Sequence, residues 1–297
     1  MTFDSTPALQ ARIGTRLAPY LRPAMLGLSI FGFVLFAWLM LVVPGRPDSR
    51  ELFGFDSYAY WRVDAFHPYA IALGTYGSFT YSPAIALVAA PARLLPFGLF
   101  FFLWDSFLIV ALVWLTRRMA LVWLVFLPVS FELLAGNIHI LLALICVLGF
   151  EYPALWSIGL LTKITPGVSL LWFVVRREWR SLAVALGATA VIAAVSFVVA
   201  PGAWFDWANF LTTSGATGAV PNDRLGFIMP PWWLRLALAA LLVAWGARTD
   251  RRWVLPVATT LALPVIWINS LAILVAVPRL RGGRASEGQT GTSLQSR

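Results

Sequence analysis

The sequence predicts an all-helical integral membrane protein that crosses the bilayer about ten times. Of its 297 residues, 60% are hydrophobic and 12% are charged, whereas a soluble domain carries roughly 25% charged residues. The mean hydropathy is +0.81. Apolar runs recur along the chain with Arg-rich segments between them. These observations favour a polytopic membrane protein over a soluble enzyme.

The chain begins with a polar segment, residues 1–23, which precedes a twenty-residue apolar run at 24–43. A run of that length can cross a hydrocarbon core of about 30 Å. The loop 45–80 follows. The next apolar stretch, 84–95, is short and contains Pro91, so we expect it to be re-entrant or to lie shallowly at the outer face.

The later apolar stretches vary between half a span and a full span. They are 98–115, 119–134, 140–150, 154–161, 168–175, 182–200, 232–245, 254–268 and 271–277. A second loop, rich in Gly, Pro and Trp, covers 201–231. The transmembrane domain is therefore predicted to cover 24–278, and the polar tail 279–297 is expected to be disordered.

Charge predicts the orientation. Fifteen Arg and four acidic residues fall in the segments 1–23, 117–118, 176–180, 248–252 and 279–297. The loops 45–80 and 201–231 carry four basic and six acidic residues. The positive-inside rule therefore places both termini in the cytoplasm and both loops outside.

Without an organelle signal, a bacterial inner membrane is the default location. Because the basic residues are dispersed between apolar runs, the high pI does not indicate nucleic-acid binding.

Metal and cofactor chemistry is not expected. The single cysteine, Cys146, lies in an apolar run and is expected to pack as a small hydrophobe. One Cys and two His leave no structural zinc set.

Four ionisable residues fall in or beside apolar stretches, where a charge is costly: Asp105, Glu132, His139 and Lys163. We expect Asp105 to make a polar contact between helices and His139 to be a packed neutral histidine. For Glu132, a structural role and a role in a site are both open. Lys163 is the only lysine, and Pro166 breaks the backbone beside it. It either snorkels to the outer interface or holds a lipid phosphate, and the phosphate is slightly favoured.

The first predicted external loop holds most other candidates. Residues 53–83 contain Asp56, Asp64, His67 and five tyrosines. A carboxylate among tyrosines suits sugar binding, because tyrosine rings offer apolar faces and hydroxyl partners. The alternative is a solvated loop with interfacial aromatic residues, and composition alone favours it.

Several short motifs follow one another in a specific order: Asp56-x-Tyr-x-Tyr, His67-Pro-Tyr, Phe79-Thr-Tyr-Ser-Pro, Leu133-Leu-Ala-Gly-Asn and Leu161-Thr-Lys-Ile-Thr-Pro. This order, over roughly residues 20–215, resembles glycosyltransferase family 87 of the GT-C class. That family includes mycobacterial polyprenol-phosphate-mannose-dependent mannosyltransferases. The family often has Gly-Gln where this chain has Gly136-Asn137.

The resemblance implies a GT-C-like fold and an inverting transfer of a hexose, with mannose expected, from a polyprenyl-phosphate donor to a lipid or cell-envelope glycan acceptor. It implies Asp56 as general base. Lys163, and more weakly Arg62, would lie near the donor phosphate. The sugar and acceptor pocket would be lined by Tyr58, Tyr60, Asp64, His67, Tyr81, Glu132, Asn137 and His139.

Two rival functions stay open at this point. A transporter or flippase of lipid-linked sugars would also use intramembrane charges and broken helices. A non-catalytic membrane subunit would keep the fold without the chemistry. The lack of an evident inverted repeat and the large aromatic loop favour the transferase over the transporter.

Overall fold

The computed structural model describes residues 53–73, 75–214 and 230–282. Within these ranges every regular element is helical and there is no strand, which confirms the predicted all-α class for this part of the chain. The predicted N-terminal segment 1–23 and the first predicted span 24–43 lie outside the described residues, as do parts of both predicted loops and of the tail.

The described residues form thirteen α-helices. They are α1 (Phe55–Arg62), α2 (Pro83–Ala89), α3 (Phe97–Thr116), α4 (Ala120–Val125), α5 (Leu127–Ala135), α6 (His139–Leu148), α7 (Trp156–Thr162), α8 (Leu171–Arg176), α9 (Trp179–Val199), α10 (Pro201–Ser214), α11 (Trp232–Arg248), α12 (Val254–Ala262) and α13 (Val277–Gly282). Shorter 3-10 segments cover Ala90–Leu94, Arg117–Met119, Pro153–Leu155, Thr165–Leu170 and Ile268–Ala276.

Prolines divide the apolar stretches into these short helices. Pro83 and Pro201 are the first residues of α2 and α10, while Pro96 and Pro231 immediately precede α3 and α11. Proline suits a helix start because its ring presets φ and its missing N–H is not needed there. Helices α1 and α10 fall within the two segments predicted as external loops.

Among the described residues, two helical stretches, Phe97–Val125 and Trp179–Val199, are long and apolar enough to cross a membrane. Helices α5 and α6 together have the length of a third span, but they are bent by 110° at the break between them. That geometry fits a broken span or a re-entrant loop. The figure of about ten crossings stays a prediction.

Helix α3 shows how the span packs. Five of its buried residues follow alternating steps of four and three residues, which places them on one face; they are Phe101, Asp105, Leu108, Leu112 and Leu115. Helix α9 differs, because only Ala185 and Ser196 are buried along its 21 residues. Its remaining apolar surface suits contact with lipid.

Arg235 joins α11 to the end of α12. Its guanidinium donates hydrogen bonds to the backbone oxygens of Leu263 at 2.8 Å and Pro264 at 2.7 Å. Carbonyls at a helix end lack partners within the helix, so these bonds satisfy them inside an apolar region. The 3-10 segment Ile268–Ala276 follows directly and packs against α5 and α6.

Candidate active site

Asp56 lies in the first turn of α1 and is half-buried. Its Oδ2 accepts a hydrogen bond from Asn137 Nδ2 at 2.6 Å. The orientation of the Asn137 amide is set by its other end, because Oδ1 accepts from the backbone N–H of Ile138 at 2.7 Å. Asn137, in the turn between α5 and α6, therefore holds a donor toward the carboxylate of Asp56.

Two glycines allow α1 to approach this turn. Gly54 and Gly136 have φ of +73° and +65°, a region that glycine adopts without strain. A Cβ on Gly54 would lie 2.8 Å from the Phe97 ring, and one on Gly136 would lie 2.8 Å from the Ser57 side chain. The N–H of Gly54 donates to the Leu134 carbonyl at 2.7 Å, which fixes the start of α1 against the end of α5.

Two buried tyrosines continue the network from Asn137. The Tyr60 hydroxyl lies 3.4 Å from Asn137 Oδ1 and 2.9 Å from the Tyr81 hydroxyl. Burial, followed by neighbouring charges, raises the pKa of both hydroxyls, so both stay neutral hydrogen-bonding groups. Of the residues predicted for the sugar pocket, the structure thus brings Tyr60, Tyr81 and Asn137 to Asp56.

A second polar chain begins at Glu132 on α5. Its carboxyl accepts from the backbone N–H groups of His139 and Ile140 at the start of α6. The His139 Nδ1 lies 2.8 Å from Glu132 Oε2, and both side chains are fully buried. An ionised Glu132 can only accept, so Nδ1 carries the proton and Nε2 is left as an acceptor.

The Lys163 ammonium lies 2.9 Å from His139 Nε2. Lys163 stands at the end of α7, just before the 3-10 segment that contains Pro166. Glu132, His139 and Lys163 thus form a line in which the neutral His139 imidazole lies between the Glu132 carboxylate and the Lys163 ammonium. We call these three residues the Glu–His–Lys chain. Each member of the chain gives its neighbour a hydrogen-bond partner, which offsets the cost of burying ionisable groups.

Asp56 and the Glu–His–Lys chain influence each other electrostatically. Burial and, next, the Glu132 carboxyl raise the pKa of Asp56 to about 6, while the Asn137 hydrogen bond and the Lys163 charge oppose that rise. Asp56 is therefore close enough to Glu132 and Lys163 to respond to their charges. A carboxyl with a pKa near 6 can accept a proton at neutral pH and release it again.

Arg62 and Tyr58 take up a different position. The Arg62 guanidinium lies 6.0 Å from the centre of the Tyr58 ring, and the Arg62 residue is exposed. Tyr58 is buried between Tyr76, stacked at 4.4 Å, and Phe97, edge-on at 5.2 Å. Arg62 thus lies against an aromatic cluster, whereas Lys163 contacts His139.

Asp64 and His67 form an exposed turn. Asp64 Oδ1 accepts from the backbone N–H groups of Phe66 at 2.8 Å and His67 at 2.9 Å. These two bonds are the main reason that the pKa of Asp64 is lowered. The Asp64 carboxylate is thus engaged in shaping its own turn, and Arg93 stands 4.0 Å from it.

Sequence reasoning missed Ser270, whose Oγ lies 3.3 Å from His139 Nε2. Ser270 and the neighbouring Asn269 are both buried. Their signal was a polar pair between the predicted apolar stretches 254–268 and 271–277, about a hundred residues after the last of the motifs. The predicted helix contact of Asp105 is not seen, because neither of its buried oxygens hydrogen-bonds any described residue.

The fold and the site define a helical membrane protein in which an amide holds a carboxylate and a histidine holds a lysine, both at the α5–α6 turn. No group of described residues could hold a metal ion through three or more His, Cys, Asp or Glu side chains. The sequence profile of glycosyltransferase family 87 matches residues 79–288. The chain belongs to that family, which confirms the resemblance seen in the motifs. The profile match reaches further toward the C-terminus than those motifs do.

Mycobacterial mannosyltransferases are among the relatives. The polyprenol-phosphate-mannose-dependent alpha-(1-2)-phosphatidylinositol mannoside mannosyltransferase of Mycobacterium tuberculosis is 34% identical over 145 residues, 46% of this chain and 30% of its own length. The corresponding pentamannoside mannosyltransferase of Mycolicibacterium smegmatis is 30% identical over 145 residues, 41% of this chain and 35% of its own length.

A pentamannoside mannosyltransferase from another Mycobacterium tuberculosis strain is 25% identical over 255 residues, which are 75% of this chain and 58% of that protein. This chain therefore spans between about a third and somewhat over half of the curated relatives it matches. No solved structure matches it significantly.

Proposed function

We propose that this chain is an integral-membrane glycosyltransferase of GT-C-like architecture. It transfers a hexose, with mannose the first candidate, from a polyprenyl-phosphate donor to a lipid or cell-envelope glycan acceptor. The observation that carries the proposal is that Asn137 and His139, two residues apart at the α5–α6 turn, contact Asp56 and Lys163 respectively in a chain of family 87. Dependence of three relatives on polyprenol-phosphate-mannose supports the donor class.

Asp56 is the general base of the proposed reaction. An acceptor hydroxyl must lose a proton as it attacks the anomeric carbon, and a half-buried carboxylate with a pKa of about 6 can take it. Asn137 is a positioning residue, because its amide holds one carboxylate oxygen and leaves the other for the acceptor. One base suffices for a single displacement, which inverts the anomeric configuration.

Lys163 is the proposed partner of the departing phosphate. Negative charge develops on the polyprenyl phosphate as the glycosidic bond breaks, and a preorganised cation stabilises it. The Glu–His–Lys chain orients the ammonium from behind through His139 Nε2. Because an ammonium has three donors, two remain to bind phosphate oxygens.

The positions of the two polar ends support an outward-facing site. Helix α3 begins beside Tyr58, and near its other end the Trp114 carbonyl accepts a hydrogen bond from Arg279 at 3.0 Å. Its 20 residues extend about 30 Å, the thickness of a hydrocarbon core. Arg279 belongs to the segment 279–297, which is predicted to be cytoplasmic. The pocket at the other end would then face outward, with Glu132 and His139 at the outer boundary.

The test compares membranes that contain equal amounts of the full-length wild type, Asp56→Asn and the matched control Asp64→Asn. Each receives radiolabelled polyprenyl-phosphate mannose, and label is followed into lipid and polymer fractions. We expect Asp56→Asn to lose at least about a hundredfold in transfer rate. Asp64→Asn should stay near the wild type, because its carboxylate only shapes an exposed turn.

Equal transfer by the wild type and Asp56→Asn would contradict the role of Asp56. If folded wild type transferred no sugar from several donors, the enzyme itself would be excluded. Movement of intact lipid-linked sugar across the bilayer in that case would identify a transporter instead.

A further inference from the structure

A groove of about 420 Å³ opens beside the proposed catalytic pocket, in the size range of small-ligand sites. It lies between the loop that follows α1 and the helix α10. We call it the α10 groove. The side chains that matter for its chemistry are those of His67, Tyr69, Asp206, Asn209, Phe210 and Thr213.

An aromatic wall forms one part of the α10 groove. The rings of Tyr69 and Phe210 stack at 5.4 Å between centres, with only 14° between their planes. The Tyr69 hydroxyl donates to the Tyr81 carbonyl at 2.7 Å, so the wall is tied to the segment that carries Tyr81. The Tyr81 hydroxyl in turn meets Tyr60 in the catalytic pocket.

The polar part of the α10 groove comes from one face of α10. Asp206, Asn209, Phe210 and Thr213 are spaced at i, i+3, i+4 and i+7, which brings them onto the same side of a helix. A carboxylate, an amide and a hydroxyl therefore lie beside the aromatic wall. The set accepts and donates hydrogen bonds, as recognition of a ring bearing several hydroxyls requires.

Charge argues against a phosphate in this groove. The described lining contains a carboxylate, Asp206, and neither Lys nor Arg. An anionic ligand would be repelled, whereas a neutral polyol would not. The ligand class that fits is a hexopyranose, whose C–H face packs on an aromatic ring while its hydroxyls meet polar side chains.

We infer that the α10 groove binds a neutral hexose of the acceptor, packed against the stacked Tyr69–Phe210 pair with Asp206 and Asn209 at its hydroxyls. This inference rests on the proposed function, because it assigns the acceptor side of the same reaction. The connection through Tyr69 and Tyr81 leads from the groove to the pocket of Asp56. The hexose can belong to a soluble glycan or to a glycolipid head group.

The test measures sugar binding separately from transfer. Full-length protein in lipid nanodiscs is titrated with methyl α-D-mannopyranoside, and binding is followed by saturation-transfer NMR on the ligand. Phe210→Ala should weaken binding about three- to tenfold, the range for loss of one aromatic contact. Asn209→Ala provides a second groove variant. Leu211→Ala is the matched control, since Leu211 is exposed on the same helix but outside the groove lining.

A second arm titrates octyl α-D-mannopyranoside in the same way. A groove-dependent site for both mannosides supports the inference with a soluble acceptor. A groove-dependent site for the octyl compound alone supports it with a membrane-anchored one. The inference is overturned if the wild type shows no saturable binding of either compound, or if Phe210→Ala and Asn209→Ala both bind as the wild type does.

Asp56→Asn separates this inference from the proposed function. It should bind the mannosides as tightly as the wild type while failing to transfer sugar. A wild type that binds in the groove but transfers nothing would remove the proposed reaction and leave the sugar site standing.

Discussion

At the residue scale, Asn137 links the position of Asp56 to its charge state. The hydrogen bond from Nδ2 lowers the pKa of Asp56 against the larger effect of burial, which leaves that pKa near 6. Asp56 can act as a base only when its carboxyl group is ionised. Transfer should therefore fall as the pH drops through about 6 and rise above it.

Asn137→Ala removes this stabilisation of the carboxylate. We expect the acid limb of the transfer rate to move upward by about one pH unit, because a hydrogen bond to a charged group contributes about 1.5 kcal/mol. The measurement is a pH–rate profile of the variant beside that of Thr80→Ala, an exposed position in the first predicted external loop. An acid limb at the wild-type pH would mean that Asn137 does not tune Asp56.

Lys163 and Arg62 were both candidates for the donor phosphate, and their surroundings now distinguish them. Lys163→Met should lower kcat/KM for the donor by about a hundredfold, as expected when one preorganised charge is lost from a site of developing charge. Arg62→Met should have little effect, because Arg62 lies against the Tyr58 ring. Steady-state kinetics with varied donor give both values, and the reverse ranking would reassign the phosphate to Arg62.

At the scale of elements, the approach of α1 to the α5–α6 turn depends on backbone that only glycine supplies without strain. In Gly136→Ala, an alanine must adopt a φ of +65°, and its Cβ would lie 2.8 Å from the Ser57 side chain. The cost should be at least about 1–3 kcal/mol of stability. A lower unfolding temperature in detergent would show it.

The matched control is Gly187→Ala on the exposed helix α9. A Cβ at Gly187 meets nothing within 4 Å, so a gain of about 0.5–1 kcal/mol is expected from helix propensity. Equal unfolding temperatures for both variants would contradict the close approach of α1 and the turn.

At the scale of the whole molecule, orientation can be tested with cysteines because the chain has a single native one, Cys146, which is buried. In intact cells a membrane-impermeant maleimide should label Thr80→Cys, and it should label Arg180→Cys only after permeabilisation. Both positions are exposed in the structure. They lie in segments predicted on opposite sides of the membrane. The reverse pattern of labelling would invert the proposed topology.

The sequence alone predicted the all-helical membrane class, because hydrophobic composition and apolar run lengths do not depend on tertiary contacts. It also pointed to the family, since the order of the motifs lies in the chain itself. It named Asp56, Asn137, Glu132, His139 and Lys163 as candidates. It did not show that Lys163 reaches His139, or that His139 in turn reaches Glu132.

Only the tertiary structure decided which candidates contact one another. Asp56 and Asn137 are 81 residues apart, and their contact requires the two positive-φ glycines to bring α1 to the α5–α6 turn. Ser270 reaches His139 only because the segment after α12 folds back onto α5 and α6. Local periodicity reports which face of a helix is apolar. It carries no record of the distant element that packs there, because that choice depends on shape and on how buried polar groups find partners.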